Sequence, residues 1–207
     1  MTPDRLAVFA IALGTVLFGA AIAGRHIINP WWTNAAAAVV TIAASWAALR
    51  FRLRRLFAFR ANTALIAVGL GVLMVTATHA GFRIAVEIFP DLGHEVARLY
   101  GDINDTTPGV VFAVPLIAMI ATAEEVLWRG IAIELCQHRF SRAFTAMVAI
   151  ALYALPQLIG GAWILVAAAV VVGTVFTVQR LITGGIVEPL ITHAVWSVSI
   201  FSLVPVI

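Results

Sequence analysis

The sequence predicts an all-α protein, a polytopic transmembrane helical bundle of about seven membrane helices plus an interfacial helix. Three observations carry that expectation. Of 207 residues, 62% are hydrophobic and only 11% charged, and mean hydropathy is +1.04; soluble domains run nearer half apolar and a quarter charged. The apolar residues come in runs of about 20, the length a helix needs to cross a hydrocarbon core. Arginines collect in the short segments between runs, where they act as topology signals.

Residues 6–23 form the first expected span. Arg5 and the small residues Ala21-Ile22-Ala23 give it the outline of a secretory signal. The stretch is longer than a signal core and further spans follow at once, so it reads as a retained helix. Residues 31–49 form the second, with Trp31 and Trp32 placed as interfacial aromatics are. Next comes LRFRLRRLFAFR, holding Arg50, Arg52, Arg54, Arg55 and Arg60. The positive-inside rule places this loop in the cytoplasm, where its arginines set topology rather than recognise a lipid or partner.

Residues 62–80 lead back out. Over 82–100, Phe82, Val86, Phe89, Leu92, Val96 and Leu99 make a helical stripe among polar residues, which predicts an interfacial amphipathic helix broken near Pro90. Five acids lie between positions 82 and 107 (Glu87, Asp91, Glu95, Asp102, Asp105), a balance that suits the outer side. A long helix is expected over 108–138, with Thr107 as its cap and Pro108 in its first turn. At 1.5 Å per residue it is about 45 Å long. Arg139 and Arg142 mark its cytoplasmic end. Residues 143–158 run outward to the Gly160-Gly161 turn, and 162–178 return. After a second turn at Thr183-Gly184-Gly185, residues 186–207 form the last span. The N-terminus is then inside and the C-terminus outside, in a bacterial-type plasma membrane.

Length allows a single integral membrane domain over 1–207, with N-terminal spans in 1–107 and a distinct core in 108–207. All 13 basic residues are arginine. The pI near 10.0 reflects few acids and topology signals; no nucleic-acid face is expected. The single cysteine, Cys136, excludes an intrachain disulfide framework and reads as a small buried side chain.

Against this background, ATAEEVLWRG at 121–130 puts three charges into an apolar run. An ionisable group inside a span is a functional-site hypothesis by default. Glu125 and Arg129 stand i, i+4 with the acid first, the favourable order on a helix. Pairing lowers the cost of burying both. Glu124 is turned about 100° away, with no partner on its own helix before His138. One carboxylate is satisfied and one is spare, and a spare carboxylate shielded from water suits general-base work on a water. The same three charges could instead close a polar helix–helix contact. Spacing alone leaves both readings open. His193, in ITHAVWS, lies about two turns into the last span, with Ser197 one turn later on the same face. Gln157 is the remaining polar residue deep in a span, and Pro156 before it loosens the helix. Glu134, His138 and Glu188 sit nearer span ends.

EEVLWR resembles the EExxxR signature of the CPBP intramembrane proteases, also called the Abi or type II CAAX prenyl endopeptidase family. Tyr153-Ala-Leu-Pro-Gln157 falls where that family carries FxxxH, and His193-Ala-Val-Trp-Ser197 where it carries HxxxN. The resemblance covers about 108–207. It implies a peptidase that cuts membrane-associated peptides, with Glu124 activating water, Glu125 and Arg129 supporting it, and His193 as the second motif histidine. Gln157 and Ser197 would be hydrogen-bonding, substrate-binding neighbours. Gln157 replaces the first histidine and cannot carry a proton. Ser197 replaces the asparagine and has a shorter reach. A divalent metal such as zinc, if one is used, would fall to Glu124 and His193, a thin donor set. The expected partners are membrane lipid and a hydrophobic or membrane-associated peptide. The alternative is a degenerate relative that binds a peptide or lipid segment without cutting it. A transporter is disfavoured, since inverted repeats and paired broken helices are lacking. The linear count leaves one tension: His193 sits roughly 10 Å from the cytoplasmic face and Gln157 about 20 Å.

Overall fold

The computed structural model describes residues 2–49 and 53–207. Arg50 and Arg52, two of the five loop arginines, lie outside the described residues. No strand occurs among the described residues. Among the described residues, six helices are long and apolar enough to cross a membrane, so the protein is an all-α integral membrane bundle.

Helix α1 (Pro3–Ala23) begins at a Thr2 side chain that accepts from the Arg5 amide, with Pro3 in the first turn, where a missing N–H costs nothing. Helix α2 (Pro30–Leu49) packs along α1, with Thr41 against Gly14, and buries Ala35, Ala38, Thr41 and Ser45. Small residues let membrane helices approach closely. A Cβ on Gly14 would run into Leu127, so the α1–α2 pair also seats the long central helix.

A one-turn helix α3 (Leu53–Leu56) precedes α4 (Ala61–Ile88). Here the structure moves an expected boundary. Helix α4 does not end at residue 80 but runs on through Phe82 and Val86. Phe89 then leaves helical geometry at φ −129, ψ 82, because the residue before a proline is pushed from the α region. The amphipathic helix is therefore the shorter α5 (Asp91–Asn104). It lies against the bundle end: Tyr100 Oη donates to Ile200 O at 2.8 Å, and Trp31 Nε1 to Ile103 O at 3.0 Å. Burial pushes the Tyr100 phenol up to about 12.

The long helix α6 is Val110–Cys136, shorter than expected at both ends. Thr107 does not cap it; its hydroxyl donates to Ile103 O at 2.9 Å. Gly109, at φ 84, turns the chain into the helix instead. Helices α7 (Arg142–Ile159) and α8 (Trp163–Thr183) form a hairpin. The last helix, α9 (Val187–Leu203), is shorter than the expected 186–207 span. It packs on α4, with Thr192 Oγ1 donating to Ala67 O at 3.0 Å and Trp196 Nε1 to Thr78 Oγ1 at 2.9 Å.

The two ends differ in charge. At one end Arg139 pairs with Asp4 at 2.7 Å, and Glu134 Oε1 receives Arg55 at 2.5 Å and Arg180 at 2.8 Å. At the other, Asp102 on α5 meets His26 at 2.9 Å and Arg25 at 3.5 Å. These are called the arginine end and the acidic end below.

Candidate active site

The sequence ATAEEVLWRG lies at the centre of α6, and there the helix changes form. Glu125–Ala132 is a π-helix, eight residues long. Such widened turns are rare and occur often at functional sites. Every side chain in this stretch is buried.

Glu125 and Arg129 are both 0% exposed, and Arg129 Nη1 meets Glu125 Oε1 at 3.1 Å. The expected i, i+4 pair is thus present. Its surroundings explain how two charges are held away from water. Arg129 Nη2 donates to Gly173 O at 3.1 Å, and its guanidinium lies 4.3 Å over the Tyr153 ring and 5.3 Å from that of Phe176. Gly173 is required by this approach. A Cβ there would fall 2.7 Å from Tyr153 Cδ1 and 3.3 Å from Arg129 Nη2.

Glu125 also has a partner that helix spacing cannot reveal. His193 Nδ1 lies 2.9 Å from Glu125 Oε1, and His193 Nε2 lies 3.5 Å from Glu124 Oε2. One imidazole therefore spans both glutamates. Phe176 stacks on it at 4.5 Å between ring centroids, and Tyr153 meets it edge-on at 6.1 Å. Those two rings fix its plane. Glu125, already paired to Arg129, is an acceptor, so it takes the Nδ1 proton. Nε2 is left with a lone pair, a tautomer assigned from the partners. The Glu124 side chain is 13% exposed against 0% for Glu125, so of the two only Glu124 reaches open space.

That space is a cavity of about 200 Å³. Glu124, Gln157, His193 and Ser197 all line it. Four residues from three helices, separated by up to 73 positions in the chain, thus face one chamber. Gln157 and His193 thus line one chamber despite the different depths that the linear count gives them. Its other walls are apolar, among them Phe18, Tyr153 and Val172. The Gln157 carbonyl oxygen is buried there without a hydrogen-bond partner among the described residues.

The donor set does not fit a zinc ion. A catalytic zinc takes three protein ligands, and among the described residues no group of three His, Cys, Asp or Glu is arranged to hold a metal ion, since Glu125 Oε1 is taken by Arg129 and by the far nitrogen of His193. Glu124 and His193 are the two that face each other. What the pair can do chemically follows from its polarity. A carboxylate oxygen and an imidazole lone pair at 3.5 Å are both acceptors, and a molecule donating two protons satisfies both. Water is such a molecule.

Sequence reasoning had named Glu124, Glu125, Arg129, Gln157, His193 and Ser197, and the structure brings all six to one place. It missed Phe176, the Gly173 carbonyl and Arg180, whose Nε donates to Arg129 O at 3.1 Å. Arg180 lies just past the expected 162–178 span, and the signal that could have found it is a lone arginine beside Gln179 in an apolar helix. His138 and Glu188 lie elsewhere; Glu188 accepts from Thr63 at 2.6 Å at the arginine end.

A model of the type II CAAX prenyl endopeptidase Rce1-like family matches residues 106–199. The match covers the π-helix, His193 and the part of the cavity wall between Ile117 and Ser197, and is consistent with the CPBP resemblance of EEVLWR. No curated protein and no solved structure gives a match.

Proposed function

We propose that the protein is an intramembrane endopeptidase of the CPBP type, which hydrolyses a peptide bond of a membrane-associated substrate with a water activated by Glu124. The observation that carries this is the facing of Glu124 Oε2 and His193 Nε2 at 3.5 Å at the wall of an apolar cavity. The Rce1-like match over 106–199 supports the peptidase class.

A water held by both acceptors gives one proton to each, and its free lone pair points into the cavity. As that pair forms the new C–O bond, Glu124 takes the water's proton. The carbonyl π electrons move to oxygen. Ser197 Oγ and the Gln157 amide N–H line the cavity where they can donate to this oxyanion. When the C–N bond breaks, Glu124 returns its proton to the leaving amine. His193, held by Glu125, orients the water. Arg129 pairs with Glu125 and holds it in place as the acceptor that sets the histidine tautomer.

The test compares membranes carrying wild type with membranes carrying Glu124→Ala, reading new peptide termini by terminal-enrichment mass spectrometry. Loss of a general base lowers rates by about 10²–10⁴-fold, so termini produced by wild type should vanish in the variant. Identical sets of termini, with both proteins folded, would leave the alternative: a relative that binds an apolar segment without cutting it. That outcome would trace to Gln157, which cannot carry a proton, and binding would then survive Glu124→Ala.

A further inference from the structure

Two tryptophans and one tyrosine line the cavity. A buried aromatic with a polar tip usually finds that tip a partner. Trp31 Nε1 donates to Ile103 O and Trp196 Nε1 to Thr78 Oγ1. Tyr153 is different. Its hydroxyl makes no hydrogen bond among the described residues, yet it is not sealed from water as the Gln157 carbonyl oxygen is. Tyr153 is 5% exposed and lines the cavity, so its hydroxyl is the polar tip of an otherwise apolar wall.

The ring is held on three sides. Arg129 lies 4.3 Å over its face, His193 meets it edge-on at 6.1 Å, and a Cβ on Gly173 would fall 2.7 Å from its Cδ1. The hydroxyl therefore keeps a fixed position. Of the charged groups around it, Glu124 acts on it most strongly, ahead of Arg129 and Glu125. An unused donor thus stands beside the carboxylate that holds the water.

The chemistry of the visitor follows. Glu124 and His193 Nε2 are acceptors and are satisfied by the two protons of a water. The carbonyl that this water attacks brings an acceptor and no donor, and its oxygen gains charge during the attack. The sequence carries the same mark. Residues 153–157 stand where the resembled family has FxxxH. Two positions differ together: Gln157 takes the place of the histidine, and Tyr153 that of a phenylalanine, which has no hydroxyl. One donor is lost and another gained, a turn apart on one helix.

We propose that Tyr153 is a further catalytic residue of this site, whose hydroxyl donates a hydrogen bond to the carbonyl oxygen of the peptide bond being cut. The proposal rests on the protease reading above and adds a third oxyanion donor to Gln157 and Ser197. As the C–O bond forms, the carbonyl π electrons move to oxygen and the Tyr153 hydrogen bond tightens. The phenol proton stays on Oη. When the C–N bond breaks, the electron pair returns to the carbonyl and the hydrogen bond relaxes, so the proton route through Glu124 is unchanged. A donor fixed before charge develops needs no reorganisation at the moment of reaction.

Tyr153→Phe tests this, because it removes one oxygen and keeps the ring against Arg129 and His193. The full chain is reconstituted in lipid vesicles, and cleavage is followed at the sites that wild type cuts. Loss of one oxyanion donor lowers kcat by about 10²–10³-fold, and an interaction made only in the transition state leaves KM unchanged. The unfolding temperature should not fall, since the hydroxyl has no partner to lose. Cleavage at the wild-type rate, or a loss confined to KM, overturns the proposal. So does a loss of rate that comes with a fall in unfolding temperature, which would make the hydroxyl a packing group.

A second measurement needs no cleavage. The probe is carbonyl-labelled acetophenone, whose isotope-shifted C=O stretch stands clear of the amide bands. A cavity of ~150 Å³ holds benzene, and this one is about 200 Å³. A hydrogen bond from Tyr153 lowers the stretching frequency of the bound probe, so the band should move up in Tyr153→Phe. A band at the same place in both proteins overturns the proposal. Wild type that cuts nothing sinks the protease reading, and the band then decides by itself whether the hydroxyl is a carbonyl donor in the cavity. Wild type and Tyr153→Phe that cut equally well sink the role of Tyr153 alone.

Discussion

Glu124 and Glu125 are neighbours in sequence with unlike surroundings. Glu125 is fully enclosed and serves Arg129 and His193 together; Glu124 faces the cavity. Neutralising each should therefore do different things. Glu125→Gln leaves Arg129 buried with no counter-charge, a change worth about 3–5 kcal/mol, and thermal unfolding in detergent should show a large loss. Glu124→Gln strips no ion pair from Arg129 and should unfold near the wild-type temperature while abolishing cleavage. Equal loss of stability in both would mean that the two acids form one packing network, and the division of roles would fall. The favourable i, i+4 pairing of Glu125 with Arg129 was legible in the sequence, because helix geometry relates residues a turn apart. The His193 contact was not. It joins residues 68 apart, and nothing local encodes which helices will face. There the family resemblance supplied what spacing could not.

At the scale of elements, the unexpected feature is the eight-residue π-helix in α6. Hydropathy sees an apolar run and cannot tell one helical winding from another. The winding is held from outside by Gly173 and Arg180, each bonded to Arg129. Gly173→Ala should strain that support. The added methyl would lie 2.7 Å from the rigid Tyr153 ring, and overpacking of this kind costs about 1–3 kcal/mol. A fall in unfolding temperature together with reduced cleavage is expected; an unchanged protein would show that α7 and α8 separate freely. Helix α5 offers a pH test. Tyr100 is pushed up to about 12 by burial, while the unfolded phenol titrates near 10. Its proton is thus held more tightly in the folded state. That contribution is complete below about pH 10 and is lost as pH rises toward about 12. Tyr100→Phe should lose about 1 kcal/mol with its bond to Ile200 O and should remove the Tyr100 share of the alkaline decline. A decline of the same depth in both proteins would assign it to other groups.

Taken whole, the bundle is uneven in helix length, and two of its short helices carry residues of the site. Helix α4 has 28 residues, α7 has 18, and α9 is the short apolar helix Val187–Leu203. At 1.5 Å per residue α4 reaches about 42 Å, α7 about 27 Å and α9 at most about 25 Å, against a hydrocarbon core of about 30 Å. The number of apolar runs was legible in the sequence. Their lengths were not, because α9 was expected to continue to Ile207, whereas its helix ends at Leu203. Gln157 lies on α7 and both His193 and Ser197 on α9, so two of the helices that wall the cavity fall short of the bilayer. A membrane matches such helices by thinning, at a cost of fractions of a kcal/mol per Å. Tilting relieves the long α4 but not the short pair. Lipid thickness should therefore act on the site more than on the fold. Reconstitution in bilayers of shorter-chain lipids should raise the cleavage rate relative to long-chain lipids, with a smaller change in unfolding temperature. A rate that climbs with bilayer thickness would mean that α7 and α9 are not the elements setting the geometry of Glu124 and His193.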